Sequence, residues 1–353
     1  MPTNSQRQPV DVVVITALAD ESSAVLKTLN GVERTVESTT ALSAYHGSIA
    51  NDVVNRQIQV VLTQSTQMGN VAAAQAVSRA IDVWNPQAVL LVGIAGGVKT
   101  KDISSLGDVV IADQIVAYEP GKIRDTGLEN RWEVYRPSFP LLNAARMLAE
   151  DPHWKEVAIP RPDGSNHHRP KVHFGIVASG EKVITATDFV QELQSTWSKL
   201  AAVEMEGYGA ALATYAVETA PGFLLIKALS DWSNSDKNDN WRHYACAVSA
   251  AFFKRIVQTF SFGPSPDDSR QPHKAGRNPL PGKKKIELCR NLGANWRDLA
   301  DYFDIPLWER DRFRPGWECQ EIWEWLQRRN KLDGLPEGLR FILRDDLAAL
   351  LES

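Results

Sequence analysis

The chain has 353 residues, 43% of them hydrophobic, and a net charge of −4, enough for one large α/β domain and a small second one. That balance excludes a strongly basic nucleic-acid reader, and no apolar run reaches the roughly 20 residues that span a bilayer. Neither nucleic acid nor a membrane is an expected partner.

Residues 1–9 are polar, and the start lacks the charged segment and long apolar core of a signal peptide. Residues 10–15 (VDVVVI) are short, β-branched and nearly continuous, the pattern of a buried strand. A turn through Asp20 and Glu21 leads into a short helix over 21–29. Strands follow at 58–63, 88–92, 108–113, 172–179 and 223–228, with a small-residue helix from Met68 to about residue 83 and a closing helix over 244–259. Strands alternating with helices predict a layered α/β sheet whose site forms beyond the strand ends. The polar or glycine-rich tips are Glu21, residues 67–69, residues 93–97, residues 179–182 and Asp231.

Residues 263–282 are rich in proline, glycine and charge and read as a linker between a domain at 1–262 and a helical one at 283–353. In the helical part, short helices are expected over 286–292, 296–303 (capped by Asn295), 307–313 (opened by Pro306), 318–329, 336–341 and 345–351. They predict a compact six-helix bundle that lacks a catalytic constellation and is better suited to docking. Cys246, Cys289 and Cys319 are scattered and odd in number, which suits a reducing cytoplasm. His167, His168 and His173 lack an accompanying carboxylate or cysteine and read as polar loop rather than a metal site, so neither metal nor cofactor is expected.

The stretch 200–231 carries the chemistry. Glu204, Met205 and Glu206 follow the apolar LAAV, and Asp231 ends the run FLLIKALS. A carboxylate at the mouth of a buried strand is costly unless it is paired or used. The competing structural readings are a turn cap for Asp231, a lysine partner for Glu206 and a favourable first-turn charge for Glu21. The run GIAGG at 93–97 is not a GxGxxG fingerprint, and no Walker or GxSxG motif is present. Those glycines could let a sugar or a base lie against backbone.

Taken together, ALADE (17–21), MGNVAAA (68–74), VGIAGG (92–97), LGDVV (106–110), ASG (178–180), VEME (203–206) and ALSD (228–231) resemble the nucleoside phosphorylase/nucleosidase superfamily, closest to its methylthioadenosine/S-adenosylhomocysteine nucleosidase branch. The resemblance covers about residues 10–260. It implies a three-layer α/β sandwich with a mixed sheet and cleavage of a purine N-glycosidic bond. Asp231 would be the acid at the departing base, since a poorly solvated carboxyl can hold a proton. Glu21 would position the attacking water, Glu206 would bind the ribose 2′- and 3′-hydroxyls, and Met205 would pack on the sugar. Val183 and Ile184 would line the base pocket, and Ala95, Gly96 and Met68 complete the expected substrate-binding set.

Glu204 is expected to face elsewhere. The turn at 16–29 contains no arginine and presents carboxylates, which favours water over phosphate. The longer segment 118–173 and the polar insert 232–243 point from methylthioadenosine toward an adenine nucleotide, ATP among the candidates. Lys227, Lys182, Arg242 and His243 would then meet 5′-phosphates. Phosphorolysis and a non-catalytic nucleoside sensor are the alternatives. Residues 296–303, 323–326 and 344–351 resemble bacterial effector-associated, death-like domains. That implies homotypic docking in antiphage or other conflict systems, with Arg310, Arg312 and Arg314 facing Glu318, Glu321 and Glu324 as candidate complementary charges. Relatives of the first domain also imply a homo-oligomer.

Overall fold

The computed structural model describes residues 10–36, 43–125, 127–165, 168–217, 220–235, 239–263, 282–310, 313–328 and 331–352. The polar start, most of the expected linker, His167 and Arg312 lie outside these residues. The chain divides into two compact units, Met1–Gln271 and Pro272–Ser353.

The first unit runs β1 (Val12–Thr16), α1 (Ala19–Leu26), β2 (Asn30–Val36), β3 (Ser43–Asn51), β4 (Arg56–Gln64), α2 (Asn70–Trp84), β5 (Ala88–Gly97), β6 (Val109–Ala117), β7 (Gly121–Arg124), β8 (Gly127–Asn130), β9 (Glu133–Tyr135), α3 (Phe139–Leu148), β10 (Val172–Ser179), α4 (Thr187–Thr196), β11 (Leu200–Glu204), α5 (Gly207–Tyr215), β12 (Gly222–Asp231) and α6 (Arg242–Thr259). The main sheet is mixed, in the order β11-β10-β6-β12-β5-β1-β4-β3-β2. β1, β4, β5 and β12 are parallel neighbours in the middle. β11 also pairs antiparallel with the far end of β5, Ala202 opposite Gly97 and Val203 opposite Gly96.

The period of two along a strand divides the core between the sheet's two faces. Val12 and Val14 pack with Val25, Leu141 and Phe252 of α1, α3 and α6. Val13 and Ile15 pack with Val77 and Ala80 of α2 and with Ala210 of α5. Helices on both faces make this a three-layer sandwich.

β5 and β12 run well past their apolar runs. β5 continues through Gly93–Gly97 because its glycines are paired by β12 and β11. β12 carries on to Asp231 for the same reason. β2 is exposed throughout and β3 alternates only weakly, so neither shows the continuous apolar run that marks a buried strand.

α2 and α5 approach so closely that a Cβ on Gly209 would lie 1.9 Å from the Asn70 carbonyl oxygen. Asn70 Oδ1 accepts the Gly209 amide at 2.8 Å and the Ser179 hydroxyl at 2.9 Å, while Ser179 Oγ accepts the Tyr208 amide at 3.1 Å. This buried network pins the start of α2 to the end of β10 and the start of α5.

The second unit contains α7 (Gly282–Leu292), α8 (Trp296–Tyr302), α9 (Leu307–Arg310), α10 (Glu318–Arg328), α11 (Leu335–Phe341) and α12 (Asp345–Glu352). Their inward stripes, including Leu288, Leu292, Leu299, Ile322, Leu326, Leu339, Leu347 and Leu351, form a core of their own. Asn295 does not cap α8. It is helical itself, at the end of a 3₁₀ turn, and its side chain accepts from Arg344 at 3.4 Å. The charges expected to face a docking partner are partly matched within the unit: Arg310 bonds Asp301, Arg314 bonds Glu321 at 2.9 Å, and Lys285 lies 3.6 Å from Glu324. Among the described residues, no helix is long and apolar enough to cross a membrane.

Gly209→Ala forces α5 off backbone that cannot yield. The expected outcome in equilibrium denaturation is a loss of about 1–3 kcal/mol; an unchanged midpoint would show that the helix pair tolerates the extra methyl.

Candidate active site

The C-terminal ends of β1, β5, β11 and β12 meet around a cavity of about 410 Å³. Its walls carry Ala17, Leu18 and Glu21 after β1, Ile94, Ala95 and Gly96 from β5, Glu204, Met205 and Glu206 after β11, and Ser230, Asp231 and Ser233 at the end of β12. Met68, Lys182, Val183, Ile184, Asp239 and Arg242 close it. Of the residues singled out from sequence, Glu21, Met68, Ala95, Gly96, Lys182, Val183, Ile184, Met205, Glu206, Asp231 and Arg242 share this one hollow.

Glu21 is locked by three backbone amides. Its Oε2 accepts Ala17 at 2.8 Å and Leu18 at 2.9 Å, and its Oε1 accepts Ile94 at 2.8 Å. The seat exists because residue 93 has no side chain: a Cβ there would lie 2.2 Å from Glu21 Oε1. Burial is the largest influence on Glu21 and raises its pKa above the ordinary carboxylate value, against the pull of Lys227 and of the amides.

Asp231 Oδ1 accepts the Ser233 amide at 2.9 Å, and Oδ2 accepts the Ser230 hydroxyl at 3.1 Å. Ser233 reaches this position with φ of 53°, a left-handed conformation uncommon outside glycine. Its hydroxyl fills the place a Cβ on Gly96 would take, 2.1 Å from it. Glu206 Oε1 accepts the Gly69 amide at 3.2 Å, across from α2.

Lys227 corrects the sequence reading. It does not meet a 5′-phosphate at the cavity wall but is 1% exposed beneath it. Its Nζ donates to Glu206 Oε2 at 3.1 Å and lies 3.4 Å from Glu204 Oε2. Burial opposes the ammonium, yet Glu206, Glu204 and Glu21 together hold its pKa above the ordinary lysine value. The lysine partner weighed as a structural alternative for Glu206 is therefore present, alongside its place in the cavity wall. Glu204, expected to face elsewhere, belongs to the same cluster and accepts the amides of Glu206 at 3.0 Å and Gly207 at 2.9 Å. Burial raises its pKa, with Lys227 opposing and Glu206 assisting. Glu204 faces the same way as Glu206 because it ends a strand while Glu206 precedes α5.

His243 is also corrected: it does not line the cavity, its side chain is largely exposed, and it lies 4.0 Å from Asp20. Lys182 bonds Glu119 at the rim, and Arg242 bonds Asp239 at 2.5 Å. His173 Nε2 donates to Asp108 Oδ2 at 2.8 Å, and His168 lies 3.2 Å from Ser105. Among the described residues, no group of three or more His, Cys, Asp or Glu could hold a metal. Sequence reasoning missed Ser233, Asp239 and the Asn70–Ser179 network. The available signal was a lysine inside the apolar run FLLIKALS, which predicts a buried cation in need of carboxylates.

Residues 11–261 match the model of the Phosphorylase superfamily. The chain belongs to this family. Residues 282–353 match the model of Bacterial Death-like domain 3. The chain is 26% identical over 253 residues to the ATP nucleosidase Cap17 of Escherichia coli, covering 68% of this chain and 49% of that protein. It is 26% identical over 210 residues to a Death domain-containing ATP nucleosidase of Amphimedon queenslandica, covering 55% and 38%. The chain thus spans about half or less of the length of these two relatives. The same superfamily fold is seen in a solved 5′-methylthioadenosine/S-adenosylhomocysteine nucleosidase from S. pneumoniae, with a TM-score of 0.56, 22% identity and coverage of 71% of this chain and 100% of that one.

Removing one partner of a buried ion pair strands the other, at a cost of about 3–5 kcal/mol. Lys227→Met is expected to lower the unfolding free energy of this superfamily domain by that order in urea titrations. A loss below about 1 kcal/mol would mean that the carboxylates do not depend on the ammonium.

Proposed function

We propose that the first unit hydrolyses the N-glycosidic bond of an adenine nucleoside or nucleotide, with ATP the leading candidate substrate. The observation that carries this reading is the convergence of Glu21, Glu206 and Asp231 on one cavity of about 410 Å³, a size suited to a small ligand.

In this reading the purine lies between Ile184, Val183 and Asp231, and the ribose sits over Met205. As the C–N bond stretches, the sugar gains cationic character and the base gains negative charge. Asp231, oriented by Ser230 and the Ser233 amide, gives its proton to the departing ring nitrogen. Glu206 accepts the ribose hydroxyls and stabilises the developing cation electrostatically. Glu21, held rigid by its three amides, orients water and takes its proton. The turn after β1 presents the Glu21 carboxylate to the cavity, which favours water over a phosphate nucleophile.

Two observations support a nucleotide. Two of the relatives are named ATP nucleosidases. Arg242 and Lys182 stand on the cavity wall, and the buried Arg242 Nε has no hydrogen-bond partner among the described residues. The death-like unit would recruit the enzyme by binding a partner with a similar domain, making it an effector of cytoplasmic antiphage defence that acts as a homo-oligomer.

A panel of ATP, AMP, adenosine and methylthioadenosine, assayed for free base with and without phosphate, tests the reading. Adenine release from ATP without phosphate is expected; release only from methylthioadenosine would sink the nucleotide assignment, and an absolute need for phosphate would sink hydrolysis. Asp231→Asn should retain ligand binding while base release falls by about 10²-fold or more.

The pH profile gives a further check. Glu21 acts as the anion, and its pKa is raised by burial. Activity is therefore present above that pKa and lost as pH falls through it, so the acid limb of kcat/KM should lie above 4.5. A limb at or below the ordinary carboxylate value would exclude Glu21 as the base.

A further inference from the structure

Cys289 and Cys319 lie 30 positions apart in sequence, on α7 and α10, and the packing of those helices brings them opposite each other. Lys285 fixes the register. Its Nζ lies 3.6 Å from Glu324 Oε1 and 5.8 Å from the centroid of the Trp323 ring. One helical turn onward along α7 from Lys285 is Cys289, and one turn back along α10 from Trp323 is Cys319. Antiparallel helices in contact at 285 and 323 therefore face each other again at 289 and 319.

Both thiols are half-buried, and Cys319 packs against the core formed by Leu288, Leu292, Ile322 and Leu326. The third cysteine, Cys246, is buried in the other unit. Each thiol is the largest influence on the other's pKa, ahead of burial and of Lys285, which fits two sulfurs facing each other. Either can attack, with the other resolving it.

We propose that Cys289 and Cys319 are an oxidant-responsive thiol pair that forms a reversible disulfide between α7 and α10 of the death-like unit. The oxidant is a hydroperoxide. One thiolate of the pair attacks one peroxide oxygen, an S–O bond forms, the O–O bond breaks, and hydroxide leaves to be protonated as water. The other sulfur then attacks the oxidised one, an S–S bond forms, the S–O bond breaks, and a second water leaves. Two thiols give up two electrons and two protons, and hydrogen peroxide accepts both. The cross-link closes the loop that contains α8 and α9 and restricts the unfolded chain, so the oxidised unit is the more stable one.

The full-length protein is treated with hydrogen peroxide, blocked with an alkylating reagent and mapped by non-reducing peptide mass spectrometry. A Cys289–Cys319 linked peptide in the chain's own mass, with Cys246 alkylated, is the expected result. Dithiothreitol should reverse it, and the denaturation midpoint of the C-terminal unit should rise on oxidation and fall on reduction. Cys289→Ser and Cys319→Ser should each abolish the midpoint shift while leaving base release unchanged. Sulfenic or sulfinic acid on one cysteine without a linked peptide, a bridge between two chains, or a bridge involving Cys246 would each overturn the proposal.

Discussion

One buried ammonium organises the first unit of this molecule. Lys227 lies under the cavity floor with Glu204 and Glu206 within 3.4 Å and Glu21 close enough to hold up its pKa. Three acidic side chains gathered in a dry crevice repel one another and resist desolvation. A single cation cannot neutralise all of them, so backbone amides carry the rest of the load: two residues donate to Glu204, three to Glu21 and one to Glu206. The strand ends are arranged to supply those donors.

That requirement accounts for the glycines. Gly93 leaves room for Glu21, Gly96 for Ser233 beside Asp231, and Gly207 for the Glu204 carboxylate, whose Oε1 would lie 2.9 Å from a Cβ there. A Cβ at 93 would meet Glu21 itself, one at 96 would meet Ser233 before Asp231, and one at 207 would meet Leu225 before Glu204. Gly96 and Gly97 also pair with Val203 and Ala202 of β11, which brings the VEME segment to the end of β5.

The two units solve different problems. The first builds a rigid polar crevice on a large apolar sandwich, as befits a member of the Phosphorylase superfamily. The second is a small bundle with its own core and a surface of paired charges. Its cysteines are unremarkable in sequence and become neighbours only through the antiparallel packing of two helices.

Much of this was legible in the residues themselves. Apolar runs such as VVVI and FLLIKAL marked the central strands, and VEME with a strand-ending SD marked where acids stand at strand mouths. Both are local signals, set by period and by the cost of a charge at the end of a buried segment. What the residues could not settle was which partner each charge meets. Lys227 reads as a phosphate ligand until β12 is seen to place it beneath Glu204 and Glu206 rather than on the cavity wall. Glu204 joined the cluster because a strand end, not a helix, precedes Glu206. β2 escaped notice because an exposed strand carries no apolar signature. Pairing between distant segments depends on register and packing across the sheet, and those are properties of the folded chain alone.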